Sequence, residues 1–353
     1  MESIKIGNKS VGGKDDPCFI IAELSANHNQ DFNLAVETLH AMKESGADCI
    51  KLQTYTPDTI TLKSDNEWFK IQKGTIWDGK TLYDLYSEAF TPWDWQPKLQ
   101  EIAKSIGLEI FSSPFDESSV DFLEKMSVPA YKIASFEITD IPLIKYVASK
   151  GKPIIISTGI AYIDDINLAI QTCREAGNDR IIILKCTSSY PAPYEEINLK
   201  TIPNLSETFG VVAGLSDHTE GWAVPVAAVA LGAKVVEKHF ILDRKIGGPD
   251  SSFSMEPGEF RTMVDAIRNV EKAIGSINYD LSEKVITSRE FSRSLFIVKD
   301  IKKGDQFTRE NVRSIRPGFG MHPKYFERIL GKTALEDFRA GTPLQFGMIR
   351  NFQ

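Results

Sequence analysis

At 353 residues the chain exceeds one ordinary compact core, so its length predicts two domains, one of them large. Hydrophobic (42%) and charged (25%) fractions are those of a soluble globular protein. A net charge of −7, without a Lys/Arg-rich run, argues against a nucleic-acid or anionic-membrane partner, since both need a basic face.

The opening MESIKIGNKS lacks the apolar core and cleavage site of a secretory signal, and no apolar run approaches the roughly 20 residues that span a bilayer. Cys18, Cys49, Cys173 and Cys186 are far apart and form no CxxC pair. They predict buried thiols of a reducing compartment, with the cytoplasm as default.

From Phe19 onward, short apolar runs alternate with amphipathic stretches. The runs are FIIAE (19–23), ADCIKLQ (47–53), LEIFSS (108–113), AYKIAS (130–135), PIIISTG (153–159), RIIILKCT (180–187), VVAGLSDH (211–218) and AKVVEKH (233–239). Between them, segments 33–46, 95–107, 118–126, 141–151 and 165–177 place apolar residues at helical spacing, and glycine often closes them. Near-continuous apolar strands alternating with helices imply a parallel sheet covered by helices, and eight units fit a closed (β/α)8 TIM barrel better than an open sheet. No GxGxxG follows the first strand, so the dinucleotide-binding open sheet ranks below. The aromatic-rich segment 55–94 is a long insertion after the second strand and is expected to form part of a substrate pocket.

After about residue 280 the pattern changes. Residues 281–292 read as a linker with some helix, separating a barrel domain (1–280) from a small turn-punctuated domain (293–353).

The carboxyl ends of barrel strands share one rim, where active sites form. Here they carry Glu23, Lys51, Gln53, Ser112, Ser113, Lys132, Ser135, Ser157, Thr158, Thr187, Ser188, Ser189, Ser216, His218 and His239. Lys51 and Lys132 follow apolar residues, where burial demands an anion. The bland partner is Glu23 or Glu137; two lysines among hydroxyls tilt the reading towards phosphate. A Schiff-base lysine stays open. His218 and His239 end successive strands, about 5 Å apart in a parallel sheet, so they are candidates to share one divalent ion. Without a third fixed ligand they suit a metal with open positions, acting as a Lewis acid. Glu23 is a candidate for proton transfer or sugar binding, or a partner for Lys51. Asp250, in GGPDSSFSMEP, reads first as a turn former, and Arg316, in SIRPGFG, as a surface arginine. WDGKTLYDLY (77–86) reads as packing whose aromatics are able to line a sugar.

IIAELSANHNQD, IKLQTYTPDT, PAYKIASFEI, IIISTGIA, KCTSSYPAP, GLSDHT, VVEKHF and GPDSSFSMEP resemble, in order and spacing, the sialic acid synthase family. The C-terminal segment resembles the antifreeze-like (SAF, β-clip) domain of those enzymes. TPDTITL, GTIWDGKTLYDLYSEAFTPW and SSPFDESSVDFL resemble the family's pseudaminic acid branch.

The resemblance implies condensation of phosphoenolpyruvate with 2,4-diacetamido-2,4,6-trideoxy-L-altrose and water, giving pseudaminic acid and phosphate. It assigns the phosphate to Lys51, Lys132, Ser113, Ser135, Ser157, Ser216 and Ser188; neuraminate synthases carry Asn at this last position. It assigns a divalent metal, manganese with magnesium or cobalt as substitutes, to His218 and His239. Glu23, Gln53, Glu137, Tyr190 and Asp250 would face the sugar. Arg316 would reach its acetamido group from the partner subunit of a domain-swapped homodimer. The 6-deoxy end would meet an apolar patch, expected among the insertion's aromatics, and the product commonly decorates flagellin. The alternatives are an N-acetylneuraminate or legionaminate synthase of the same family, a Schiff-base pyruvate aldolase, and a non-catalytic carbohydrate-binding protein.

Overall fold

The computed structural model describes residues 2–72, 74 and 76–352. It divides into two compact units, Met1–Gly275 and Ser276–Gln353.

In the first unit, a hairpin of β1 (Ile4–Ile6) and β2 (Lys9–Val11) precedes eight parallel strands that close into a barrel. In chain order these are β3 (Phe19–Glu23), β4 (Cys49–Thr54), β5 (Glu109–Pro114), β6 (Tyr131–Ile133), β7 (Ile154–Ser157), β8 (Ile181–Cys186), β9 (Val212–Asp217) and β10 (Val235–His239). Each pairs with its sequence neighbour, and β10 closes on β3 with His239 opposite Glu23. The (β/α)8 architecture expected from the alternating runs is the one observed.

Helices form where the spacing predicts them. Phe32–Glu44 starts at Asp31, whose carboxylate accepts from the Asn33 and Leu34 N–H groups, and Glu117–Lys125 starts at Asp116 in the same way. Their apolar faces cover the barrel: Ile20, Ala22, Ile50 and Leu52 point outward into a cluster with Leu39, Met42 and Leu99.

The alternate residues point inward and divide into two levels. Phe19, Ile21, Cys49 and Phe111 share an apolar cluster with Ile4, Ile6 and Val11 of the hairpin. Lys9 pairs with Asp48 just before β4, and Lys234 just before β10 donates to the Gly13 carbonyl, so the hairpin lies across the barrel's N-terminal end. This hairpin has no counterpart in the sequence reading, because two three-residue strands fall below the length at which alternation is detectable. The upper level is polar and forms the site described next.

The second unit pairs β11 (Ser294–Ile297) with β12 (Val312–Ile315) antiparallel around a core of Leu295, Ile297, Ile301, Phe307, Val312 and Leu344. The stretch expected as a linker carries the helix Glu283–Ser288 and the short turn Arg289–Phe291. No helix among the described residues is long and apolar enough to cross a membrane.

Candidate active site

A cavity of about 570 Å³ opens at the carboxyl ends of the strands. Glu23, Lys51, Gln53, Ser113, Lys132, Ser135, Glu137, Ser157, Tyr190, Ser216, His218, His239 and Asp250 all line it, so these residues expected from the sequence converge. Period two explains the selection: inward Ser113 joins the cavity, whereas Ser112 faces outward and bonds Thr54 at 2.6 Å. Ser188 stands beside Ser135: a Cβ on Gly159 would lie 2.0 Å from Ser188 Oγ and 2.7 Å from Ser135 Oγ. Glycine is therefore required there, and its N–H donates to Ser135 Oγ at 3.1 Å. Arg316 lies exposed in the second unit, next to β12.

The floor is a buried charge cluster. Lys51 Nζ lies 2.9 Å from Glu23 Oε2 and 2.7 Å from Glu237 Oε1, and Lys132 Nζ lies 3.4 Å from that same Glu237 oxygen. Ser216 donates to it at 3.1 Å. Glu23 also accepts from Gln53 Nε2 at 3.0 Å and lies 3.1 Å from His239 Nε2. Burial raises the Glu23 carboxyl, but the His239 imidazole and the Lys51 and Lys132 ammoniums outweigh it and hold it well below the usual range. Burial likewise opposes the charge on Lys51, and its two carboxylates win, raising it. Lys132 is lowered by burial and by Lys51, which its carboxylates do not fully offset.

Glu237 is the participant that the sequence reading missed. Two residues before His239 in VVEKH, it shares the inward face of β10, and strand periodicity was the signal available. Cys186 is the second. It lines the cavity, its Sγ lies 3.9 Å from His218 Nδ1, and its thiol, which burial raises, is lowered to about 7 by His218 together with Ser135 and Lys132. All four cysteines are free and buried, as expected.

Several buried polar atoms here have no protein partner: Ser113 Oγ, Ser157 Oγ, the second carboxylate oxygens of Glu137 and Glu237, and His239 Nδ1. Buried polar groups are normally satisfied, so a concentration of orphans beside two lysines marks a place for a polar ligand. The serines and lysines together form a cradle for an anion.

The histidine rings stand 5.3 Å apart between centroids, and Tyr190 and Phe253 pack against them. Their separation and donor atoms fit a shared divalent cation. His218 Nδ1 donates to the Thr187 carbonyl at 3.0 Å, which leaves the Nε2 lone pair free to ligate, and His239 presents its orphaned Nδ1. Burial lowers His239 against the pull of Glu23, favouring its neutral ligating form, whereas at His218 burial is outweighed by Cys186, the Thr187 carbonyl and Glu23, which raise it. Among the described residues no cluster of three His, Cys, Asp or Glu side chains converges as a metal site, so two imidazoles would leave the other positions open.

Behind the rings, Lys238 and Asp217 form an ion pair of 2.6 Å on the opposite face of β10 and β9, both fully buried. Lys238 also donates to the Thr219 carbonyl, and Asp217 accepts from the Thr219 N–H and hydroxyl. This clasp joins the two strand ends that bear the histidines.

The insertion roofs the cavity. Trp77 Nε1 donates to the Pro249 carbonyl at 3.0 Å and its ring meets Tyr190. Asp250 accepts from the Ser25 hydroxyl, so it does more than shape a turn. The lining contributed by the insertion is aliphatic as well as aromatic: Ile60, Ile71, Leu82, Leu85 and Ala89 accompany Tyr55, Trp68 and Tyr86.

Residues 38–279 match the NeuB family, and residues 292–350 match the SAF domain. A pseudaminic acid synthase of Campylobacter jejuni serotype O:2 is 48% identical over 344 residues, spanning 98% of this chain and 99% of that protein. One from Helicobacter pylori is 49% identical, covering 93% and 96%. Among solved structures, the N-acetylneuraminic acid synthetase of Leptospira borgpetersenii superposes with a TM-score of 0.72 at 29% identity, covering 81% of this chain and 95% of that one.

Proposed function

Because the chain belongs to the NeuB family and carries the SAF domain as well, we infer that it is a pseudaminic acid synthase, condensing phosphoenolpyruvate with an amino-sugar aldehyde. One observation carries the chemistry: Lys51, Lys132, orphaned serine hydroxyls and two strand-end imidazoles share a single cavity.

In this reading the phosphate of phosphoenolpyruvate docks on Lys51, Lys132, Ser113, Ser135, Ser157 and Ser216, with Ser188 beside Ser135. Glu23, Gln53, Glu137, Tyr190 and Asp250 orient the open-chain sugar, 2,4-diacetamido-2,4,6-trideoxy-L-altrose. His218 and His239 would hold a divalent cation, manganese in the first instance, which would supply Lewis-acid polarisation of the aldehyde. C3 of phosphoenolpyruvate bonds to the aldehyde carbon, water adds at C2, and the resulting tetrahedral centre expels phosphate by C–O cleavage. The lysines are fixed by Glu23 and Glu237 before substrate arrives, so they stabilise the departing phosphate without reorganising. Holding both substrates in line contributes at most about 7–11 kcal/mol.

The same reading places the enzyme in the cytoplasm as a domain-swapped homodimer, in which Arg316 of one subunit reaches the acetamido group in the other subunit's barrel. Phosphate release from phosphoenolpyruvate against a panel of aldehydes, with manganese and with chelator, tests it. Release with the diacetamido trideoxy sugar alone supports the pseudaminic product; release with N-acetylmannosamine or the legionaminate precursor selects those synthases. Silence with every sugar leaves a carbohydrate-binding protein. Lys132, lowered by burial, is the group an imine mechanism would use. Borohydride trapping of pyruvate on it, with activity surviving chelator, would establish the aldolase instead.

A further inference from the structure

We propose that Leu82 and Ile71, on the roof of the cavity, select the substrate by its methyl end and make this wall the determinant of 6-deoxy over 6-hydroxy sugars. The proposal rests on the sugar-condensing function above and adds the part of the pocket that tells one aldehyde from another.

The roof is built, not draped. Thr81 caps the helix Leu82–Ala89 by accepting the Asp84 N–H at 3.1 Å, which makes Leu82 its first residue. Leu82, Leu85, Tyr86 and Ala89 then follow at i, i+3, i+4 and i+7 on a single helical face, and all four line the cavity. Ile71 is fixed by two backbone hydrogen bonds: its N–H donates to the Lys80 carbonyl at 3.0 Å, and its own carbonyl accepts the Gly79 N–H at 3.0 Å. Lys70 bridges Thr81 beside it. The tether of Trp77 to Pro249 fixes this assembly to the loop that carries Asp250.

The cavity is therefore sided. The barrel supplies carboxylate, hydroxyl, imidazole and most of the ammonium groups, and the insertion, Lys70 apart, supplies a wall of aliphatic and aromatic side chains in which Leu82 and Ile71 are aliphatic. The reacting aldehyde must sit towards the imidazoles and the anion cradle. The far end of an open-chain hexose then points to the roof. A terminal methyl gains from covering Leu82 and Ile71, whereas a hydroxymethyl gives up water to meet aliphatic carbon. Apolar walls reject an added hydroxyl only moderately, by about a hundredfold at most, which sets the size of effect to expect.

The test compares kcat/KM for 2,4-diacetamido-2,4,6-trideoxy-L-altrose with that for its 6-hydroxy counterpart, in the wild type and in Leu82→Asn, Leu82→Met and Ile71→Thr. The wild type should prefer the 6-deoxy sugar by about 10- to 100-fold. Leu82→Asn and Ile71→Thr should each lower that ratio at least fivefold, through loss on the 6-deoxy sugar, with the KM for phosphoenolpyruvate unchanged. Leu82→Met should retain the ratio. A wild type indifferent to the 6-hydroxyl, or variants that slow both sugars equally, overturns the assignment. If the wild type turns over neither sugar, the substrate itself is wrong and the selection falls with it; a wild type that works on both at equal rates condemns only the roof.

Discussion

The Lys51 ammonium lies 2.7 Å from Glu237 Oε1, and Glu237 stands two residues before His239 on the same strand. Anion cradle and imidazole pair are thus mechanically one unit, and the same carboxylate that steadies Lys51 also receives Lys132 and Ser216.

Replacing Lys51 should therefore have two separable effects. Lys51→Ala leaves Glu23 and Glu237 buried beside an empty site, a loss of about 3–5 kcal/mol. Its KM for phosphoenolpyruvate should rise at least tenfold, well beyond any change for the sugar. Adding Glu237→Gln should restore much of the melting temperature but not phosphoenolpyruvate binding. Joint recovery of both would show that Lys51 is structural only.

His239→Ala should abolish turnover and manganese retention, the latter measured by calorimetry without substrate, at near wild-type melting temperature. His218→Ala should behave alike. Full activity of either variant in chelator would end the metal assignment.

Glu137 supplies a pH test. Burial is the main cause raising its carboxyl to about 7 from an ordinary value of 4.5, against the attraction of Lys132. Below pH 4.5 the folded and unfolded forms are both protonated, so there is no differential. Between 4.5 and 7 the unfolded chain ionises first, and stability falls as pH rises, reaching a cost of ~3 kcal/mol above 7. Glu137→Gln should remove that downward slope in melting temperature. A slope that persists unchanged would mean Glu137 titrates normally.

The Asp217–Lys238 clasp predicts a contrast. Lys238→Met strands a buried carboxylate and should cost about 3–5 kcal/mol, whereas Asp217→Leu with Lys238→Met should regain most of it. Manganese affinity should stay impaired in the double variant, because the strand ends lose their cross-link. Recovery of both would make the pair a filler of space.

The barrel was legible because its signals are local and repeated. β3 falls on FIIAE at 19–23, and the helix at 163–175 overlaps the segment 165–177 picked out by spacing alone. The strand-end rule then gathered the site, since each end needs no knowledge of its neighbours. Glu237 escaped because it lies one inward position below the strand end, and Cys186 because its proximity to His218 exists only across β8 and β9. The hairpin escaped because six paired residues carry too little alternation. Leu82 and Ile71 face a cavity only once the insertion folds back, and no local pattern encodes that return.

The β1–β2 hairpin has a last consequence, for traffic. By stoppering the barrel's lower end with Ile4, Ile6 and Val11, it makes the mouth the route to Lys51 and Lys132 on the cavity floor. With phosphoenolpyruvate docked on that floor as proposed, the deeper reactant boards before the sugar, and its spent phosphate disembarks after the product has cleared the exit. Synthesis on such a platform runs as a stack, last in and first out.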